Sequence, residues 1–444
     1  MLKSGNYIVE KIQMPYSKSK IDKAGIILAR NDMSDEEAYC EAENILNQYR
    51  SEHLEPLMKT TLDLQKWMEA SSKGYYIALR LKRKPQILRK LNRFHVRLSQ
   101  LQDIAGARII LDKNTDIDDV VEYLSSKIKN SSNLKILNKY THDYRDKGRD
   151  DSGYRALHLV LECEAHKIEL QLRSKIQHCW AEKIERTSVV YGHFLKELEG
   201  DKTVLRYFKQ LSDIFYEIES NRKPTSNQRI ALDELYHQAK RIIHDSDNYK
   251  ILDSHPDDKI LRTLTEISQS SHSKKKISNW ILIFNWATGN FINWIQVLSQ
   301  DPAQIIQMYS QNENQFPAHD NFEVVLVGAS DALTIKQTHS HYFGIESYQE
   351  TLQNIDDSVK SIEIVQSLTI SERKILNALY RRHNWGTKKI KVATLKNHMC
   401  SGMSDFVISL EKLIKKGLLI RDNSESPISL NIEKKTEIDK LMDV

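Results

Sequence analysis

Residues Lys167-Ile-Glu-Leu-Gln-Leu-Arg173 alternate without a break. Ile168, Leu170 and Leu172 face one way and Glu169, Gln171 and Arg173 the other, a period of two that fits a strand and not a helix. One side of that strand must be buried. The other lines up a carboxylate, an amide and a guanidinium, more than solubility needs, although an exposed antiparallel face gives the same alternation. Short β-type runs precede it at Ala107–Leu111, Leu134–Leu137 and Ala156–Leu161, with helical patterns between them, so residues 76–200 read as a mixed α/β domain.

The flanking parts read differently. Residues 1–75 are helical in pattern, with Leu54, Leu57, Leu62, Leu64, Trp67 and Met68 at roughly helical spacing. Residues 201–315 return to helix. Ile277–Gln300 is uncharged but carries Asn279, Asn285, Asn290, Asn293 and Gln296, too polar for a bilayer span. It reads as a buried helical hairpin split at Gly289-Asn290, after a polar loop at Ser268–Lys276. Residues 316–366 suggest a small α/β piece, with a strand from Phe322 and a polar helix after Gly328. Residues 367–444 give three helical stretches, then two short strands around a polar turn, the layout of a winged-helix module.

The chain has 444 residues, 40% hydrophobic and 28% charged, with only 14 Gly and 8 Pro. That composition excludes collagen-like and linker-rich architectures and favours a helix-rich globular protein of about three domains. The first residues lack an apolar segment, so no secretory signal is expected. Cys40, Cys163, Cys179 and Cys400 form no CxxC pair, which argues against a disulfide framework or zinc knuckle and for a reducing, cytoplasmic setting without membrane contact. The net charge is only +5, far from a general nucleic-acid coat.

That small excess is unevenly spread. Ala78–Arg97 holds eight Lys and Arg, among them Arg80, Lys82 and Lys90, and no acid. Such a block is either a solvated basic helix or a site for polyphosphate or nucleic acid. Asp103-Ile-Ala-Gly-Ala-Arg108 follows, with an acid at a strand entrance that is either a turn former or a metal ligand. Asp151-Ser-Gly-Tyr-Arg-Ala-Leu-His158 places Tyr154 after a Gly turn, where the ring either packs at a strand end or stacks on a base. Tyr144-Arg-Asp-Lys-Gly-Arg149 puts Arg145, Lys147 and Arg149 in a polar loop. His178 and Glu182 share a helix face at a spacing that suits zinc, but a hydrogen-bonded pair is the simpler reading.

In this order the segments resemble the synthetase domain of the RelA/SpoT homologues, the alarmone (ppGpp) synthetases. The motifs are Arg80-x-Lys82…Lys90, Asp103-x-x-Gly106-x-Arg108, Gly153-Tyr154-x-x-Leu157-His158 and Glu169-x-Gln171-x-Arg173, with His178-x-x-Ala181-Glu182 after them. The resemblance implies an α+β fold: a mixed, nucleotidyltransferase-like sheet flanked by helices, here with a helical middle region and a winged-helix-like C-terminus. It implies a GTP/GDP pyrophosphokinase that moves the β,γ-pyrophosphate of ATP to the 3′-hydroxyl of GDP or GTP and releases AMP. Arg80, Lys82, Lys90 and Arg108 would then hold ATP, and Asp103 and Glu169 would hold Mg²⁺. Glu169 would act as base or orienter, and Tyr154 would stack on the guanine. Lys147, His158, Gln171, Arg173, and with them Arg145 and Arg149, would serve the acceptor's phosphates or support them.

The sequence departs from the family pattern at Ser152, at Ser174 (where the family usually has Thr) and in the loop around Lys147, which lacks Pro-Lys. These departures bear on the acceptor. No His-Asp pair stands in the first 100 residues, so no hydrolase domain is expected. Two alternatives stay open: toxin-like transfer of pyrophosphate to the 3′-end of tRNA, and a non-catalytic nucleic-acid-binding regulator. The sequence leaves room for a homo-oligomer.

Overall fold

The computed structural model describes residues 16–246 except 32, 33 and 223, residues 278–329 except 286–289 and 300, and residues 368–442 except 401, 402, 404, 424 and 425. The N-terminal part is helical: α1 (Lys18–Arg30), α2 (Glu36–Glu52) and α3 (Leu54–Ala70). Then follow β1 (Tyr75–Leu81), α4 (Lys84–Phe94), β2 (Ala105–Leu111), α5 (Asn114–Lys129), β3 (Leu134–Ile136), β4 (His142–Asp143), β5 (Leu157–Cys163), β6 (His166–Ser174), α6 (Lys175–Tyr191), α7 (Lys202–Glu219) and α8 (Ser226–His244). Beyond these come β7 (Ser278–Asn285), β8 (Asn290–Val297), α9 (Pro302–Gln315) and β9 (Phe322–Ala329). The C-terminal part holds α10 (Ile370–Tyr380), α11 (Phe406–Lys415), the antiparallel pair β10 (Leu419–Arg421) and β11 (Ile428–Leu430), and α12 (Lys435–Met442).

One mixed sheet runs β3-β5-β6-β2-β1-β9-β7-β8, with β4 beside β3 on the same edge of β5. Every described pairing is antiparallel except β2 on β6. The fold is α+β, as the alternation of strands and helices implies.

The sheet does not end near residue 200, and Ile277–Gln300 is not a helical hairpin. It forms β7 and β8, and β9 lies between β7 and β1. Trp280, Ile281, Leu282, Ile283 and Phe284 are all buried. A run covered on both faces has no period to read, and aromatic and β-branched residues favour strand. β1 also escapes the sequence reading, because it too is buried on both faces between Tyr76 and Leu79. The basic stretch Ala78–Arg97 is therefore not one helix. Arg80 is on a strand, and the helix starts at Lys84, with Pro85 in its first turn. The polar helix expected after Gly328 and the loop at Ser268–Lys276 lie outside the described residues.

One face of β1, β2, β5 and β6 is apolar through the middle of the sheet. Ile77, Leu79, Ala107, Ile109, Leu159, Leu170 and Leu172 join α3 and α5 in a single core. On the opposite face, β7 and β9 remain apolar and share a core with α6, α7 and α8, while β1, β2 and β6 turn polar. Helix α4 buries only Ile87 and Leu91, against α1 and α2. The C-terminal part has its own core and meets the sheet through Ile370, which packs on Tyr76 and Ile110. Its Ile370 amide donates to Asp112 Oδ1 at 2.6 Å, and Lys175 stands 3.2 Å from the same oxygen. The four cysteines are free. No helix among the described residues is long and apolar enough to cross a membrane.

Two buried histidines join the N-terminal helices to the sheet. His53 and His166 meet edge-on with ring centroids 4.8 Å apart. Their Nδ1 atoms lie 2.7 Å from Tyr49 O and 2.8 Å from Glu164 O. Burial, with His166 alongside, lowers His53 to about 3, and burial also lowers His166. Both therefore bind protons less readily folded than unfolded, where the ordinary value is about 6.5. Their contribution is present above that pH and lost as pH falls below it, and for His53, held near 3, the loss is about 1.4 kcal/mol per pH unit. Urea midpoints should fall between pH 7 and pH 5, and His166→Gln should flatten that slope.

Candidate functional site

Strand register brings the polar residues together. Arg80 opposes Gly106, which opposes Glu169. One step along, Ala78, Arg108, Gln171 and His158 lie abreast, and beyond them Tyr76, Ile110 and Arg173. Gly106 lacks a side chain in the middle of this face. The gap is a solvent-open cleft of about 480 Å³, lined by Arg80, Lys82, Asp103, Arg108, Glu169 and Gln171. A Cβ at Gly106 would meet only Glu169 O at 3.5 Å and Arg80 O at 3.9 Å. The glycine thus keeps the cleft empty and is not demanded by backbone geometry.

Asp103 is at the mouth of the cleft, just before β2. Lys82 Nζ and Lys90 Nζ donate to its Oδ2 at 2.9 and 2.7 Å. Burial favours the neutral acid, but the two ammonium groups outweigh it and hold the carboxyl below its usual range. Burial lowers Lys82, with Asp103 opposing. Asp103 Oδ1 is buried with no hydrogen-bond partner.

Deeper in, five side chains close a hydrogen-bonded ring. His158 Nδ1 lies 2.9 Å from Glu169 Oε1, and His158 Nε2 lies 2.7 Å from the Tyr154 hydroxyl. Arg173 Nη2 donates to that hydroxyl at 2.8 Å and to Gln171 Oε1 at 2.9 Å. Gln171 Nε2 returns to Glu169 Oε2 at 2.6 Å. Burial opposes the charge on Glu169, but His158 outweighs it and keeps the carboxylate ionised. Burial likewise opposes the charge on His158, and Tyr154 and Glu169 together raise it to about 9. Burial raises the Tyr154 phenol, yet Arg173 and His158 bring it down to about 7. Burial and Arg173 lower Arg108, whose Nη1 stands 3.9 Å from Glu182 Oε1.

The expected site residues fall into two groups. Arg80, Lys82, Asp103, Arg108, Glu169 and Gln171 line the cleft, Lys90 reaches it only through Asp103, and Tyr154, His158 and Arg173 join it through the ring. Lys147 is exposed in the loop after β4, outside the cleft lining. Arg145 is paired with Asp143 at 2.6 Å and Asp118 at 2.8 Å. Tyr154 does not present its ring. It is 3% exposed, because Gly153, at φ +79°, runs so close to α7 that a Cβ would stand 3.0 Å from Lys209 Cα. Ser174 caps α6 by accepting from the Gln177 amide at 3.1 Å, a role Ser and Thr fill alike. His178 Nδ1 is 3.9 Å from Glu182 Oε1, too far for the expected hydrogen bond. Among the described residues no group of three or more His, Cys, Asp or Glu could hold a metal ion. Two residues escaped the sequence reading. Lys196 is a largely buried amine 2.9 Å from Glu185 whose charge interacts with Arg173; Tyr144 leans edge-on against His158. The aromatic character of Tyr144 next to Arg145 was the only sequence signal for either.

The cleft thus gathers cations around two ionised carboxylates. Residues 79–193, which hold every cleft residue named above, match the family model described as a region found in RelA / SpoT proteins. Over 132 residues the chain is 28% identical to uncharacterized proteins of Mycobacterium tuberculosis and Mycobacterium bovis, covering 28% of this chain and 44% of theirs. The chain thus spans less than half the length of these relatives. Among solved structures, the small alarmone synthetase 2 of Bacillus subtilis is 22% identical at a TM-score of 0.31, covering 44% of this chain and 97% of that one. The small alarmone synthetase 1 of Bacillus subtilis bound to its product pppGpp is 20% identical at a TM-score of 0.30, covering 44% and 98%. A GTP pyrophosphokinase family protein of Streptococcus pneumoniae is 21% identical at 0.29, covering 42% and 96%.

The closed ring makes a stability prediction. Tyr154→Phe removes the hydroxyl shared by His158 and Arg173 and leaves buried polar atoms without a partner. The cost should be about 1–3 kcal/mol, read as a lower urea midpoint at unchanged slope.

Proposed function

We propose that this chain is a nucleotide pyrophosphokinase that transfers the β,γ-pyrophosphate of ATP to the 3′-hydroxyl of GDP or GTP. The observation that carries this reading is the cleft over Gly106, lined by cations with Asp103 at its mouth and Glu169 within it both ionised, in the segment that matches the RelA / SpoT model.

Arg80, Lys82, Lys90 and Arg108 hold the ATP phosphates and offset the charge that spreads over the transferred group. Asp103 Oδ1, buried and without a partner, and Glu169 fit Mg²⁺, which often takes one or two carboxylates and completes its shell with phosphate and water. Bound there, Mg²⁺ would neutralise phosphate charge. With Asp103 so engaged, Lys82 and Lys90 become available to the phosphates.

Each oxygen of Glu169 already accepts one hydrogen bond in the ring and keeps a second acceptor position. The 3′-hydroxyl donates there, and its oxygen attacks the β-phosphorus of ATP. The bond from that phosphorus to the α-phosphate bridging oxygen breaks, AMP departs, and the hydroxyl proton passes to Glu169. His158 and Gln171 fix the carboxylate's orientation, and positioning of this kind accounts for much of the rate in such transfers.

The test is full-length protein with ATP labelled in the γ-phosphate, Mg²⁺, and GDP, GTP or tRNA. Label on GDP or GTP with equimolar AMP is expected. Label on RNA would move the acceptor to tRNA, and no AMP with any of the three would sink the reading. Glu169→Gln should lower the rate about 100-fold or more. Gly106→Val should lower turnover by filling the cleft, and Gly106→Ala, whose added Cβ meets only ordinary contacts, should keep the urea midpoint near that of the wild type.

A further inference from the structure

The loop Tyr144–Asp151 follows β4 and borders the hydrogen-bonded ring, since Tyr144 meets His158 edge-on and the Arg149 amide donates to Tyr154 O at 2.9 Å. It contains Gly148 and no proline, so its own sequence does little to stiffen it. One buried guanidinium holds it instead. Arg155, 6% exposed, donates through Nη1 to Arg145 O at 2.7 Å and to Asp146 O. The rest of the same group is seated on α7. Nε donates to Ser212 Oγ at 3.1 Å, Nη2 donates to Asp213 Oδ1 at 2.7 Å, and the guanidinium carbon lies 4.5 Å from the Tyr216 ring centroid. Helix α7 also ties the loop and the turn after it directly. The Tyr216 hydroxyl donates to Asp146 Oδ1 at 2.5 Å, and the Ser212 hydroxyl donates to Gly153 O at 2.5 Å. Of the loop's three cations, Arg145 is paired with Asp143 and Asp118, and Arg149 with Asp150. Lys147 is exposed and has no ion pair among the described residues.

We propose that Arg155 is a positioning residue for the acceptor nucleotide: seated on α7, it holds the loop Tyr144–Asp151 so that Lys147 meets the acceptor's phosphates. The inference rests on the nucleotide reading above and puts those phosphates outside the cleft given to ATP. Strand β6, which carries Glu169, lies between β2 of the cleft and β5, beside which β4 and the loop run. An acceptor that brings its 3′-hydroxyl to Glu169 while ATP fills the cleft approaches from the β5 side and passes the loop. Fixing the backbone of even one residue costs about tenfold in affinity. A loop ordered in advance therefore binds an anion more tightly than one that the ligand must order. Arg155 suits this task because its planar fork reaches two loop carbonyls and α7 at once, which a lysine ammonium on a flexible stem does not match.

Calorimetric titration of full-length protein with GDP, and separately with α,β-methylene-ATP and Mg²⁺, tests this. Arg155→Lys keeps the charge and loses the fork. It should weaken GDP about tenfold and leave the ATP analogue unchanged, which also shows that the variant is folded. Tyr216→Phe, which loses the tether to Asp146, should weaken GDP in the same direction but by less. Lys147→Ala should weaken GDP, and adding Arg155→Lys to it should cost nothing further, because one acts through the other. An unchanged GDP affinity in Arg155→Lys, an equal loss for both probes, or independent losses in the double variant overturns the assignment. A wild type that binds the analogue but not GDP overturns it and leaves the ATP cleft standing. A wild type that binds neither overturns both. If GDP binding follows the expected pattern while no AMP is ever released, the positioning role stands and the pyrophosphokinase reading falls.

Discussion

The parallel register of β2 on β6 sets the position of everything that follows. It places Gly106 against Glu169, Arg108 against Gln171 and Ile110 against Arg173. A slip of one residue would turn Glu169, Gln171 and Arg173 into the apolar layer beneath and bring Leu170 and Leu172 onto the polar face. The core under the sheet enforces the register, since Ala107, Ile109, Leu170 and Leu172 are all buried there. Packing on one side of the sheet thus arranges chemistry on the other.

The polar face then has an electrostatic problem to solve. Arg173 is buried and Arg108 largely so, and Arg173 disfavours the charge on Arg108. Isolated buried charge of this kind is costly. Glu169 compensates from within the hydrogen-bonded ring, and Asp103 does so at the edge by holding two lysines. A local excess of cations remains around the cleft, which is how a chain of net charge +5 can carry so local a field.

Much of this was legible in the residues. The alternation at Lys167–Arg173 located β6 and its polar face, and the acid-free block from Ala78 located the cations. What was not legible depended on partners far along the chain. The ring of Glu169, His158, Tyr154, Arg173 and Gln171 exists only because β5 lies beside β6. The burial of Tyr154 depends on α7. The run at Trp280–Phe284 looked helical because, buried on both sides, it has no period. Tyr144 was passed over because its loop is polar.

The position of β9 has a temporal consequence. β1, which carries Arg80, pairs on one side with β2 and on the other with β9, and about 240 residues separate Leu81 from Phe322. At the ~5–20 residues per second of protein synthesis, the second partner emerges roughly 10–50 s after the first strand. Until then one edge of β1 has bare amides and carbonyls, the kind of edge that invites pairing with another chain. The cleft is made early and its margin is sealed late, so the nascent chain spends its most exposed interval with a cleft-lining strand at the border of an unfinished sheet.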